Sequence, residues 1–259
     1  MESIKILFVG NSFAVDTMEH AAPIARSLGV ARVKLGTLYV GGCSIGMHYE
    51  HAMTDAAVYT YYTNEGEGWV STPGRSIRDA VVSEAWDVIA IQHGTHGTSR
   101  YTSVECYEKL DGLIDYLRAL APAHTRIVFN LTWLGEPTRA HHEILSYGGD
   151  TVLMRQRLVE VTEQVIVSNP RVDLLVPTGT AIENARTSHI GILTRDGYHL
   201  SRDKGRYIAG LTFISTVTGL AAERIAWTPP GVDEYDRQVA VESAINAQRY
   251  PLAVTPSKL

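Results

Sequence analysis

The feature that most constrains the fold is a short apolar run near the start of the chain that ends in a polar turn. Five of the six residues at positions 4–9 are apolar, which is typical of a strand buried on both faces of a parallel sheet. Gly10 and Asn11 favour a tight turn, and apolar residues then recur at helical spacing as far as Leu28. Ser12 therefore lies between a strand and a helix, at the sheet edge where open α/β folds bind ligands.

Taken alone, this turn is weak support for a catalytic role. Serine and asparagine are ordinary residues at turns and helix N-caps, although helix N-terminal amides also favour a developing negative charge. Whether Ser12 is a nucleophile depends on whether the rest of the chain supplies a base, an orienting acid and donors for an oxyanion.

Strand and helix patterns alternate along the rest of the chain. Four more buried strands are predicted, at residues 31–40, 87–91, 126–131 and 172–176. This alternation predicts an α/β fold, a three-layer α/β/α sandwich around a five-stranded, mainly parallel, flavodoxin-like sheet. Alternating aromatic and polar residues at 59–62 and 68–71 predict a small β-hairpin, which we interpret as an insertion at the rim of the sheet.

The length and composition favour one domain. The chain has 259 residues, of which 45% are hydrophobic, and no Pro/Ser/Gly-rich linker divides it. We expect a single domain over residues 1–259, with a core at about 4–217 and a C-terminal helix and tail at about 228–259.

Charge and hydropathy limit the partners. The net charge is −5 without a basic stripe, which argues against nucleic acid or an anionic membrane as a partner. No apolar run reaches the length of a membrane span, and the first residues lack the pattern of a signal peptide. The two cysteines have no metal-binding spacing. We therefore expect a cytoplasmic protein.

Two further blocks carry residues suited to catalysis. Gly41 and Gly42 follow the second predicted strand and permit a close approach of the backbone to a ligand. Asp196 and His199 lie three residues apart in a polar loop before a helix. A carboxylate bonded to one imidazole nitrogen fixes the tautomer, so that the other nitrogen can accept a proton from a serine. The alternative is a simple helix entry with Ser201 as the N-cap.

Together these blocks resemble the SGNH (GDSL-like) hydrolase superfamily, in a poorly characterised branch that opens with Gly-Asn-Ser-Phe. The resemblance rests on residues 10–13, on the glycine pair and on the Asp-Gly-Tyr-His sequence at 196–199. It implies Ser12 as nucleophile, His199 as general base and Asp196 as the acid that orients it. It also implies that the amides of Ser12 and Gly42 donate to the oxyanion, and that no cofactor or metal is required.

The sequence departs from the family where Gly-x-Asn-Asp is expected. The third strand leads instead into Gln-His-Gly-Thr-His-Gly at 92–97, which contains no asparagine. Gln92 or His96 would then complete the oxyanion hole: an amide donates independently of pH, whereas the imidazole is pH-sensitive. Asn11, Tyr198 and Trp133 are further candidates for substrate contact, because they lie beside the predicted strand ends or the catalytic residues.

Three hypotheses for function follow. The first is a serine esterase that hydrolyses short-chain esters, with acetyl as the expected acyl group and a carbohydrate as the alcohol suggested by the resemblance. The second is a catalytically silent protein that binds a glycan or small molecule on the same scaffold, which the missing asparagine motivates. The third is a metal-dependent phosphoesterase that uses the histidine-rich loops around His48, His51, His93 and His96.

Overall fold

The computed structural model describes residues 1–93, 102–136 and 147–259. Within these residues seven strands form one sheet. Their bounds are β1 Ser3–Gly10, β2 Arg32–Tyr39, β3 Tyr59–Asn64, β4 Val70–Arg75, β5 Val88–Ile91, β6 Arg126–Asn130 and β7 Leu174–Val176.

Nine α-helices are present in the described part of the chain. They are α1 Ser12–Met18, α2 Ala21–Ser27, α3 Ile45–Met53, α4 Ile77–Val82, α5 Leu110–Leu120, α6 Thr151–Thr162, α7 Thr178–Ala185, α8 Lys204–Thr218 and α9 Glu234–Arg249. Short 3₁₀ turns cover Val104–Tyr107 and Ala222–Arg224, and a π-helical turn, Glu163–Val167, extends α6.

The strand order is β4-β3-β2-β1-β5-β6-β7. Five neighbouring strands, in the order β2-β1-β5-β6-β7, are parallel. This confirms the predicted parallel α/β sheet. The prediction of only five strands was wrong, because β3 and β4 pair antiparallel with the outer edge of β2 and continue the sheet. The hairpin covers an edge that would otherwise expose unpaired backbone groups, so it is part of the sheet and not a separate insertion.

Two apolar cores, one on each face of the sheet, give the predicted three layers. Ile6 and Phe8 of β1 point into the core with α1, α2, α7, α8 and α9, whereas Leu7 and Val9 point into the core with α3, α4, α5 and α6. Successive side chains of a strand alternate between faces, so a strand buried on both sides must be apolar throughout. This is the physical basis of the apolar run at the start of the chain.

The single helix predicted after Ser12 is divided into α1 and α2. Pro23 lies in the first turn of α2. A proline has no amide hydrogen and its ring clashes with the carbonyl four residues earlier, so a helix cannot run through this point unbroken. The break lets α1 take its own direction from the end of β1.

Gly179, in the first turn of α7, permits a very close approach of α7 to the segment that follows β6. A Cβ atom at this position would lie 2.1 Å from the carbonyl oxygen of Thr132, and backbone atoms cannot move aside easily. We expect Gly179→Ala to lower the free energy of unfolding by about 3 kcal/mol, measured by urea denaturation.

Gly46→Ala is the matched control, since a Cβ there would have its nearest neighbour at 3.9 Å. It lies within α3 and should raise the free energy of unfolding by about 0.5–1 kcal/mol. Equal effects of the two substitutions would contradict the proposed close approach.

Candidate active site

Ser12 is held at the junction of β1 and α1. Asn11 is the N-cap of α1, and its side-chain oxygen accepts a hydrogen bond from the amide of Phe13 at 3.0 Å. The next two amides, those of Ala14 and Val15, bond to the carbonyl of Asn11. Ser12 is therefore the first residue of the helix, and its hydroxyl is partly accessible at the carboxyl edge of the sheet.

The structure brings the three predicted triad residues into one hydrogen-bonded chain. The Nε2 atom of His199 lies 2.9 Å from Ser12 Oγ, and its Nδ1 atom lies 2.7 Å from Asp196 Oδ2. The two ends of this chain are separated by 184 residues in sequence. This is the geometry in which a carboxylate fixes the imidazole tautomer and leaves the second nitrogen facing a hydroxyl.

The loop that carries Asp196 and His199 is closed by its own backbone. The amide of Arg195 bonds to the carbonyl of His199 at 2.9 Å, and Gly197 adopts a positive φ of 84° within the turn. Asp196 Oδ1 accepts the amides of Tyr198 and His199 at 3.0 and 2.7 Å. Partial burial raises the pKa of Asp196, whereas the side-chain and backbone hydrogen bonds from His199 lower it. The hydrogen bonds together outweigh the burial, so the pKa lies below its ordinary value. Asp196 is therefore ionised at neutral pH.

A buried carboxylate that the sequence reasoning missed joins α1 to this loop. Asp16 is fully buried, and Arg195 Nη1 lies 2.9 Å and Arg206 Nε 2.8 Å from its Oδ1 atom. Its Oδ2 atom accepts the amide of Leu200 at 2.9 Å. Asp16 thus ties the helix of Ser12 to the residues on either side of the Asp196–His199 segment and to α8.

A sequence signal for Asp16 existed. The residue interrupts the otherwise apolar pattern of α1, in which its neighbours on the buried side are Phe13 and Thr17. A charged side chain is rarely fully buried unless it is paired. The position thus predicted a partner, although not which arginines would supply it.

The backbone amides of Ser12 and Gly42 are the two predicted oxyanion donors. Gly42 has a positive φ of 65° in a turn closed by the bond from the Cys43 amide to the Val40 carbonyl at 3.2 Å. Within the described residues, neither the Ser12 amide nor the Gly42 amide has a hydrogen-bond acceptor. Such amides suit the developing negative charge of a tetrahedral intermediate.

A buried chain of polar side chains runs across the carboxyl ends of four strands. The Gln92 amide donates to Asn11 Oδ1 at 2.7 Å, and the Asn130 amide donates to Gln92 Oε1 at 3.4 Å. The Thr178 hydroxyl donates to Asn130 Oδ1 at 2.6 Å. Asn11 also donates to the carbonyls of Cys43 and His93. Asn11 therefore links the serine turn, the glycine turn and the end of β5.

These bonds bear on the two candidates for the third oxyanion donor. Gln92 is buried and one of its amide hydrogens is directed to Asn11, so the structure gives it a positioning contact. His96 lies outside the described residues. The side chain of His93 is also buried, with Nε2 2.5 Å from the Thr132 hydroxyl.

The candidate substrate-contact residues are not equally accessible. Asn11 and Trp133 are each 1% exposed, so both are held inside the protein and their contact with substrate is not supported by their positions. Trp133 packs against Phe13 with ring centroids 4.5 Å apart, and its indole donates to the Tyr198 carbonyl at 2.9 Å. Tyr198 is half-buried, with its ring 4.7 Å from that of His199, and is the one of the three that borders the site.

A cluster of largely buried side chains surrounds Cys43, the residue that follows Gly42 in the glycine turn. The hydroxyl of Tyr59 lies 2.8 Å from His48 Nδ1 and 3.1 Å from His51 Nδ1, and Cys43 Sγ lies 3.4 Å from His48 Nδ1. Burial raises the pKa of the Cys43 thiol to about 12, so the thiol stays protonated and unsuited to nucleophilic attack. Among the described residues, no group of three or more His, Cys, Asp and Glu could hold a metal ion.

The fold is similar to that of a hydrolase of known structure. The structure of LAE5, an alpha/beta hydrolase enzyme from the metagenome of Lake Arreo, Spain, matches 85% of this chain and 98% of its own, with 15% identity and a TM-score of 0.51. At this identity the likeness concerns the fold alone.

No helix in the described ranges combines the length and apolarity needed to cross a membrane.

Residues 5–247 match a family model described as a domain of unknown function, DUF4886. The chain belongs to this family. A crystal structure of a DUF4886 family protein from Bacteroides uniformis ATCC 8492 is 29% identical, covers 98% of both chains and has a TM-score of 0.91. No curated protein matches the sequence.

Replacement of Asp16 tests its role as a link. Asp16→Asn keeps the size of the side chain and an acceptor for the Leu200 amide but removes the charge that pairs with two arginines. We expect a loss of about 3 kcal/mol in the free energy of unfolding, and faster hydrogen exchange at the amides of residues 196–200.

Asp236→Asn provides the control for this variant. Asp236 is also buried and pairs with Lys204 of α8 at 2.9 Å, but it has no bond to the histidine loop. Exchange in the loop should not change in this control, even if the protein is destabilised. Equal acceleration in both variants would show that Asp16 has only a general effect on stability.

We expect the buried side chain of His48 to make the folded protein less stable in acid. Burial, and to a smaller extent the charge of His51, lowers the pKa of His48 to about 3. The unfolded chain gains a proton on this residue below about pH 6.5, whereas the folded chain does not. Stability should therefore fall as the pH drops from about 6.5 towards 3, by up to about 1.4 kcal/mol per pH unit.

His48→Gln should remove this part of the pH dependence, measured as the free energy of unfolding between pH 7 and pH 4.5. His124→Gln, at an exposed site, is the control and should keep the wild-type slope. A wild-type slope in His48→Gln would show that another group causes the acid sensitivity.

Proposed function

We propose that this protein is a serine esterase that hydrolyses short-chain carboxylic esters, with acetyl as the expected acyl group. The observation that carries the proposal is the chain from Ser12 through His199 to Asp196, with distances of 2.9 and 2.7 Å. An ionised carboxylate, an imidazole and a hydroxyl in this order are the parts needed for acyl transfer to serine.

In the proposed reaction, His199 Nε2 takes the proton of Ser12 Oγ as the oxygen attacks the ester carbonyl. The carbonyl oxygen becomes an oxyanion, which accepts hydrogen bonds from the amides of Ser12 and Gly42. When the intermediate collapses, the ester C–O bond breaks and His199 gives its proton to the leaving alcohol. A water molecule, deprotonated by the same imidazole, then releases the acid and restores Ser12.

A third oxyanion donor is supplied by Gln92 or His96 in this proposal. Gln92 has a second amide hydrogen besides the one bonded to Asn11, and in this proposal that hydrogen is the donor from Gln92. Each such donor contributes about 2.7–4 kcal/mol to barrier lowering in enzymes where it has been removed.

The substrate is a small polar ester, and a carbohydrate ester is our preferred class. The side chains of Asp196 and His199 are 45% and 26% exposed, so the triad is open to solvent and admits a bulky alcohol. The half-buried ring of Tyr198 beside His199 provides a face on which a sugar could stack. No cofactor or metal takes part in this mechanism, and neither nucleic acid nor a membrane is a partner.

A catalytically silent binding protein is the second candidate. It is favoured by one observation: the strand that carries an asparagine donor in the related superfamily carries Gln92 here, and this amide is bonded to Asn11. Such a protein would bind the ester or glycan at the same edge of the sheet without turnover.

Hydrolysis of p-nitrophenyl acetate separates the two candidates. Ser12→Ala and His199→Ala should each lower kcat by on the order of 10³-fold or more, and the double variant should be no slower than the single variants, because the two residues act as one unit. Ser168→Ala and His124→Ala, at exposed sites away from the edge, are the controls and should retain wild-type turnover.

A fluorophosphonate probe gives an independent readout of the same proposal. The probe should form a covalent adduct on Ser12, located by peptide mass spectrometry, and the adduct should be absent in His199→Ala. Binding of a glycan without turnover and without an adduct would favour the silent binding protein.

A further inference from the structure

We propose that the cavity between α1 and the β3–β4 hairpin binds the acyl chain of the ester, so that butanoyl and hexanoyl groups are accepted in addition to acetyl. This proposal rests on the esterase function proposed above and specifies its substrate class. It is argued from the position of the cavity relative to Ser12 and His199.

The cavity has a volume of about 200 Å³. Pockets for drug-sized ligands are larger, at about 300–1,000 Å³, so this one suits a short chain. Its walls come from one face of α1, from β2 and from the hairpin, and are formed by Val15, Met18, Glu19, Thr37, Tyr62 and Trp69. The polar group of Trp69 is already used, because its indole donates to the Glu19 carbonyl at 3.3 Å.

Thr37 is one of the residues that line the cavity. Its residue is 1% exposed, and within the described part of the chain its hydroxyl has no hydrogen-bond partner. Thr37 pairs with Phe8 in the parallel register and therefore points to the face of the sheet that carries α1. Buried hydroxyls without a partner are uncommon because they are costly.

The geometry of α1 places this cavity and His199 on opposite sides of Ser12. Successive residues of a helix are rotated by about 100°. Asp16, which bonds to the histidine loop, is therefore about 40° from Ser12 in one direction, and Val15 is about 60° away in the other. The side chain of Val15 also leans towards the N-terminus of the helix and so towards Ser12.

The reaction decides which half of the ester enters the cavity. His199 must give a proton to the leaving alcohol oxygen, so the alcohol lies on the side of His199. The carbonyl oxygen points to the amides of Ser12 and Gly42. The remaining substituent of the carbonyl carbon is the acyl chain, and it is directed away from His199, towards Val15 and the cavity.

The ring of Tyr62 extends this wall up to the glycine turn. Its centroid is 6.1 Å from that of Tyr39, the last residue of β2, and Gly41 lies close to the Tyr39 hydroxyl. We infer that the acyl chain lies along these two rings, between the glycine turn and the cavity. Each methylene buried there should raise kcat/KM by up to about fourfold.

The test uses two series of esters with the folded wild-type protein. The acyl series keeps p-nitrophenol as leaving group and varies acetate, butanoate and hexanoate; the alcohol series keeps acetate and varies the alcohol. Val15→Phe fills the cavity, and we expect it to lower the hexanoate-to-acetate ratio of kcat/KM by 10-fold or more, on the order of two or three buried methylenes, while ratios in the alcohol series do not change.

Thr37→Val is the second variant, because it keeps the shape of the side chain and removes the hydroxyl that an apolar chain would leave without a partner. We expect it to raise the hexanoate-to-acetate ratio a few-fold. Val82→Phe is the control: Val82 is exposed on α4 on the other face of the sheet, and the ratio should equal that of the wild type.

Several results would overturn the proposal. If Val15→Phe changes ratios only in the alcohol series, the cavity holds the alcohol. If it lowers all esters equally and Thr37→Val has no effect on the ratio, the cavity does not bind the acyl chain, although the esterase function stands. If the wild type hydrolyses no ester in either series, the esterase proposal itself fails.

Discussion

The arrangement of the site depends on one buried carboxylate. Asp16 accepts hydrogen bonds from Arg195, Arg206 and the amide of Leu200, and so joins the helix of Ser12 to the loop of His199. The cost of burying a charge is large unless it is paired and hydrogen-bonded, and here two guanidinium groups and an amide supply the partners. Because these bonds flank the Asp196–His199 segment, a shift of the loop relative to α1 would break them. The distance from Ser12 to His199 is therefore fixed by an interaction that takes no part in the proposed chemistry.

The other side of the nucleophile turn is held by uncharged groups. Asn11 bonds to the Cys43 carbonyl, the His93 carbonyl and the Gln92 amide, so the ends of β1, β2 and β5 are connected at one point. An asparagine suits this position because it offers donors and an acceptor at once, whereas an ionised aspartate offers acceptors only and would face two carbonyl oxygens. This provides a physical reason for an asparagine, and not an aspartate, immediately before Ser12. One hydrogen of the Gln92 amide serves this turn, which leaves the other for a further acceptor.

The structure divides the surroundings of Ser12 into two sides with different properties. The side of His199 is partly exposed and bordered by Tyr198, while Val15, on the other side, lines a small cavity. On the far side of Phe13, Trp133 is buried and supports the loop through the Tyr198 carbonyl. The sequence placed Trp133 and Tyr198 together as candidates for substrate contact, because both are aromatic and both lie near strand ends. Only the packing separates them, since residues at the same edge of a sheet can point either into the core or towards solvent.

The sequence by itself determined the layered α/β fold, the parallel strands and the order of Ser12, Gly42, Asp196 and His199, because apolar periodicity and turn residues are local properties. It did not determine that the hairpin joins the sheet, because pairing of β3 with β2 depends on an edge that local patterns do not describe. It also could not identify the partners of Asp16 or the contact of Gln92 with Asn11. These contacts join residues that are far apart in the chain, and which groups meet is decided by the packing of α1, α8 and the strand ends. The tertiary structure alone turned a serine, a histidine and an aspartate into a connected chain.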